Sequence, residues 1–78
     1  MAFAFIPAGR TKKVMLQAYI EPIVKGVPLL FTLGNQSQTV ATDQNGVASV
    51  VFRCRSSVAT VSGEVNRVFV TDAVTVKC

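Results

Sequence analysis

The sequence predicts an all-β protein, an antiparallel β-sandwich of about seven short strands. Apolar and polar residues alternate with a period of two along several segments, which is the period of a strand. No segment shows a helical period, and turn residues recur at roughly 8–12-residue spacing, which is typical of a sandwich. The predicted strands cover residues 2–6, 12–20, 27–33, 36–42, 47–54, 58–65 and 67–77.

The first two strands are alternating segments. Residues 2–6 alternate phenylalanine with alanine and isoleucine, and Pro7-Ala8-Gly9 ends the segment. Residues 12–20 carry an uncharged apolar face that we assign to the core. This core face consists of Val14, Leu16, Ala18 and Ile20.

The third strand, residues 27–33, is a nearly continuous apolar run. Pro28 stands near its start, where a missing N–H is tolerated. Gly34-Asn35 then turns the chain into residues 36–42, which are polar and threonine-rich and fit an edge strand.

A polar turn precedes the fifth strand. Asn45-Gly46 is a strong hairpin signal because both residues tolerate a positive φ, and Asp43 can accept backbone N–H groups of the turn. We therefore expect a hairpin whose second strand, residues 47–54, turns the face with Phe52 to the core. A calcium loop is the alternative, but it needs more oxygen ligands and a downstream carboxylate, and none follows before Glu64.

The last two predicted strands lie in the C-terminal part of the chain. Residues 58–65 alternate, with Ala59, Val61, Gly63 and Val65 on one face, and Asn66 is a candidate turn residue. Residues 67–77 follow, with a kink expected near Thr71-Asp72. The phenylalanines lie mostly in apolar strands and are expected in the core.

The composition is apolar for a small domain. The 78 residues make one domain, residues 1–78, with 50% hydrophobic and 15% charged residues. Some apolar side chains are therefore expected outside the core, and large exposed apolar patches mark interfaces. The candidates are Met15, Tyr19, Leu30, Val47 and Val51. A register slip of one residue would exchange the faces of any strand.

Charge and hydropathy exclude several classes of partner. The net charge is +4, and the only tight basic groups are Arg10/Lys12/Lys13 and Arg53/Arg55. Nucleic-acid binding would need a basic stripe with stacking aromatics, so we expect none, and only a mild attraction to an acidic partner surface. No run reaches the ~18 apolar residues of a membrane span. The positive charges follow the apolar N-terminus, which is the reverse of a secretory signal.

No catalytic, cofactor or metal site is predicted. The chain has four carboxylates and no histidine for general base work, and no serine lies in a nucleophile elbow. Cys54 and Cys78 lack zinc-site spacing. They could form one disulfide worth about 3 kcal/mol, but we expect two free, partly buried thiols.

Three segments, residues 25–32, 39–50 and 58–63, carry a resemblance. The chain resembles bacterial immunoglobulin-like domains of the invasin/intimin type, which show a Gly-x-Pro-Val-x-Phe strand and a Thr-Asp-x-x-Gly-x-Ala turn. The similarity covers about residues 12–77 and implies an immunoglobulin-like sandwich. The two cysteines depart from the pattern, and so does the occurrence of one domain in place of an array.

The resemblance implies a structural role. Such domains occur on tailed-phage virion proteins and as spacers in outer-membrane adhesins. We therefore expect a capsid decoration protein on the virion, which binds the major capsid protein or another virion protein through apolar strand faces, as a homo-oligomer or among lattice neighbours. The alternative is a binding or spacer domain of a longer cell-surface protein. The flanking coding sequence would distinguish the two.

Overall fold

A computed structural model describes residues 1–7 and 12–78. Within this part of the chain there are seven strands and no helix. The strands are β1 (Ala2–Pro7), β2 (Lys13–Tyr19), β3 (Pro28–Leu33), β4 (Gln36–Ala41), β5 (Val47–Arg53), β6 (Val58–Val65) and β7 (Val68–Thr75). The all-β prediction is confirmed, and each strand lies within two residues of its expected bounds.

The strands form two antiparallel sheets that pack together as a sandwich. One sheet has three strands in the order β1-β2-β5, and the other has four in the order β4-β3-β6-β7. Strands β1, β2 and β5 face strands β3, β6 and β7, which is the arrangement of an immunoglobulin-like sandwich. The fourth strand pairs with β3, at the edge of the larger sheet, as the polar composition of residues 36–42 predicted.

The core lies between the sheets and is built from alternate residues of each strand. All four residues assigned to the core face of β2 are buried, as are Phe52 in β5 and Phe31 in β3. Phe3 of β1 packs against Phe31, with ring centroids 6.1 Å apart. The predicted inward faces of β2 and β5 are therefore confirmed, because in a strand with one buried face the alternation of apolar and polar residues follows burial.

The hairpin expected at Asn45-Gly46 is wrong. The local turn forms, since the Asp43 carboxylate accepts the N–H groups of Asn45 and Val47 at 2.8 and 3.0 Å, and Gly46 has a φ of +75°. However, β4 and β5 belong to different sheets, so the turn carries the chain across the sandwich. The same local turn can close a hairpin within one sheet or connect two sheets, and only the long-range pairing of the strands distinguishes these two cases.

Two-residue hairpins occur elsewhere. Gly34-Asn35 joins β3 to β4, as predicted, and Asn66-Arg67 joins β6 to β7. Asn66 and Arg67 have φ values of +51° and +65°, the pair of positive angles that a type I′ turn requires. The kink expected near Thr71-Asp72 is wrong, because β7 pairs with β6 without interruption over its whole length.

Two further expectations concern single residues. Phe69 was expected in the core but is 70% exposed, on the outer side of edge strand β7. Pro7, expected to end the first strand, is its last residue, while Ala8 and Gly9 lie outside the described residues.

Cys54 and Cys78 form a disulfide, so the expectation of two free thiols is wrong. Their Cα atoms are 6.0 Å apart although 24 positions separate them in sequence. Cys54 follows β5, and Cys78 follows the end of β7 in the other sheet. Both strand ends reach the same end of the sandwich, and the bond therefore links the two sheets.

Candidate protein interface

The outer face of the three-stranded sheet gathers four of the five predicted interface residues. Met15 of β2 lies opposite Val51 of β5, and Tyr19 lies opposite Val47. Directly paired residues of antiparallel strands share a face, with Cβ atoms about 5 Å apart. These two rows form one surface because both belong to the same side of the same sheet.

Strand β1 extends each row. Ile6 pairs with Met15, and Ala2 pairs with Tyr19, so the rows run Ile6–Met15–Val51 and Ala2–Tyr19–Val47. We call this surface the apolar face; it consists of Ala2, Ile6, Met15, Tyr19, Val47 and Val51. Ile6 was missed in the sequence, although its alternation with Phe3 and Phe5 places it outside.

The apolar face has a polar centre and a basic border. A row of Ala4, Gln17 and Ser49 separates its two apolar rows, and Gln17 Nε2 donates to Ser49 Oγ at 3.5 Å. Lys13 and Arg53 pair next to the Met15–Val51 row and end the face. The surface therefore passes from apolar to cationic along the strands.

Leu30 does not belong to this surface. It lies on the outer face of the four-stranded sheet, between Thr39 and Ser62. In the neighbouring row, Thr32 and Thr60 are hydrogen-bonded through their hydroxyl groups. The outer face around Leu30 is therefore mainly hydroxylic, and this residue is an isolated exposed aliphatic side chain.

The predicted turn residues lie at the opposite end from the basic border and have a structural role. Gly46 is buried, and a Cβ added there would lie 3.3 Å from both the carbonyl oxygen of Ile20 and the Cα of Ile23. Ile20 N donates to the Gly46 carbonyl at 3.0 Å. Asp43, Asn45 and Gly46 therefore hold the turn against the loop that follows β2.

The carboxylates are dispersed over the described residues. Glu21 and Asp43 lie in connections at one end, Glu64 pairs with Phe69 near that end, and Asp72 lies midway along β7. Among residues 1–7 and 12–78, no group of three or more His, Cys, Asp or Glu side chains could hold a metal ion. The described part of the chain also contains no helix long and apolar enough to cross a bilayer.

No protein-family model, curated protein or solved structure matches this chain. The class of this protein is therefore defined by its fold and by the apolar face. It is an immunoglobulin-like β-sandwich whose three-stranded sheet carries an uncovered apolar face.

Proposed function

We propose that this protein is a non-enzymatic structural component that decorates an assembly, namely a tailed-phage capsid, by docking its apolar face on a capsid protein. The observation that carries the proposal is the clustering of Ile6, Met15, Tyr19 and Val51 on one uncovered sheet face. The exposed fractions of Ile6, Tyr19 and Val51 are between 46% and 56%. Large exposed apolar patches mark sites of protein contact, and only one polar row separates the two apolar rows of this face.

The size of the face favours attachment in several copies. Three strands about 4.8 Å apart and seven residues long cover roughly 14 by 23 Å, or about 300 Å². A stable protein pair buries about 800 Å² on each partner. One domain would therefore bind weakly through this face, whereas an oligomer that presents several faces to a repeating lattice would bind by avidity.

A further property is compatible with the proposal. The Cys54–Cys78 disulfide is of a kind that persists on virion and cell surfaces. The immunoglobulin-like domains that the sequence resembles occur both on virions and on cell surfaces, so the resemblance is compatible with either location.

The test uses capsids purified from the phage or prophage whose genome carries this gene. Val51→Glu places a charge on the apolar face, and Leu30→Glu is the matched control on the opposite sheet. We expect the Val51 variant to bind at least about tenfold more weakly, because the capsid protein would bury the new charge without a partner. The Leu30 variant should bind as the wild type does, and both should keep the wild-type circular dichroism spectrum.

Three results would overturn the proposal. The first is that the gene lies outside any phage structural region. The second is that the wild-type protein does not bind capsids, and the third is that the two variants bind capsids equally well. A coding sequence that continues into further copies of the turn motif would instead support the alternative, a spacer domain of a cell-surface protein.

A further inference from the structure

Five basic residues meet at one end of the sandwich. They come from the start of β2, from the end of β5 with the residue after Cys54, and from the C-terminal segment. We call this the basic end, and it consists of Lys12, Lys13, Arg53, Arg55 and Lys77, all of which are exposed. The sequence separates them into two small groups and a single lysine, and antiparallel pairing brings them together.

The carboxylates lie elsewhere. Among the described residues, Glu21, Asp43 and Glu64 belong to the opposite end, with Lys25 and Arg67, and Asp72 lies midway. The formal charge of the described side chains is thus +5 at the basic end and 2 − 3 = −1 at the opposite end. The longest extent of the molecule is 36 Å, several Debye lengths at physiological ionic strength, so a partner at one end senses only that end.

The basic end contains two open clefts on either side of Cys54. The larger, of about 530 Å³, is lined by Lys12, Lys13, Lys77 and the disulfide, with Pro7. The smaller, of about 400 Å³, is lined by Arg53, Arg55, Asn35 and Gln36. Both volumes are within the range of small-molecule sites, and cations line each cleft.

The backbone around the larger cleft is held in place. The Lys12 carbonyl accepts the N–H of Cys54 at 2.8 Å, and the N–H of Cys78 donates to Ser56 Oγ at 3.2 Å. Lys12 has a φ of +53°, a conformation that glycine adopts with less strain. The disulfide ties the residue after Lys77 to the end of β5, and Lys12 and Lys77 line the same cleft.

We propose that the basic end is a docking site for an acidic segment of a partner protein. Ammonium groups on flexible stems suit a run of carboxylates, which needs charge more than fixed geometry. No aromatic side chain lines either cleft, and single-stranded nucleic acid requires stacking platforms. The site adjoins the apolar face at Lys13 and Arg53 but does not require that face to bind a capsid.

The experiment measures the binding of a fluorescein-labelled polyglutamate peptide by anisotropy at low and at physiological salt. Lys12→Gln/Lys77→Gln is compared with Lys25→Gln/Arg67→Gln, which removes the same charge from the opposite end. We expect the first variant to bind about tenfold more weakly, since it removes two of the five cations of the basic end. The control should change affinity less than about twofold, and reduction of the disulfide should weaken wild-type binding.

Other outcomes overturn the proposal. Equal losses for the two variants would show a response to net charge and not a site. Tighter binding of single-stranded DNA or of anionic vesicles than of the peptide would assign the basic end to another class of partner. Absence of peptide binding at low salt would remove the site altogether, and salt-sensitive self-association lost in Lys12→Gln/Lys77→Gln would identify a second copy as the occupant.

Discussion

The side chain of Gln36 in β4 pairs with the backbone of Arg53 in β5. Its Nε2 donates to the Arg53 carbonyl at 3.0 Å, and its Oε1 accepts the Arg53 N–H at 2.9 Å. Strand β5 is the edge of the three-stranded sheet, and its unpaired backbone groups could pair with another chain. The carboxamide occupies one such position and links the two sheets there.

Gln36→Ala should lower the free energy of unfolding by about 1 kcal/mol, because two solvent-accessible hydrogen bonds are lost. Urea denaturation measures this loss, and light scattering measures any edge-to-edge association. Gln38→Ala is the control on the same face of the same strand, and it should have no effect beyond about 0.5 kcal/mol. Equal effects of the two variants would contradict the role of the carboxamide.

The disulfide should stabilise the fold substantially. Cys54→Ser/Cys78→Ser removes a link between residues 24 positions apart, a loop for which chain entropy gives about 3 kcal/mol. The urea midpoint of the double variant should match that of the reduced wild type. A midpoint equal to that of the oxidised wild type would show that the link contributes nothing.

Gly63 has no room for a side chain. A Cβ there would lie 2.6 Å from Leu29 Cδ2 and 2.8 Å from the Pro28 carbonyl oxygen. Because the carbonyl belongs to the neighbouring strand, it cannot move without disturbing the sheet, and Gly63→Ala should destabilise by about 1–3 kcal/mol. Thermal unfolding tests this, with Ser62→Ala, on the outer face, as the near-neutral comparison.

Among the residues that the structure describes, Thr42 is a polar residue in the buried interior, and it is 3% exposed. Its hydroxyl donates to the Val24 carbonyl at 2.6 Å and accepts the Val27 N–H at 3.0 Å. Thr42→Val keeps the shape but leaves both backbone groups without this partner, at a cost of about 1–3 kcal/mol. Thr42→Ser keeps the hydroxyl and should unfold at a urea midpoint between those of Thr42→Val and the wild type; a valine variant as stable as the wild type would rule out this contribution.

The sequence by itself determined the strands and their core faces. Successive side chains of a strand point to opposite faces, so a strand with one buried face shows a local alternation of apolar and polar residues. It also indicated the apolar face, through Met15 and Val51. Ile6 could have been found by the same alternation. Leu30 points outward as predicted but lies on the other sheet, because strand patterns do not show which sheet a strand joins.

Only the tertiary structure decided how the segments meet. The turn at Asp43–Gly46 could close a hairpin or cross between sheets, and the pairing of β4 with β3 selected the crossing. The same long-range pairing brought Cys54 to Cys78 and joined Lys77 to Lys12 and Lys13 at one end. These contacts depend on which strands pair with each other, and the pairing of strands that are distant in sequence cannot be predicted from a local pattern of residues.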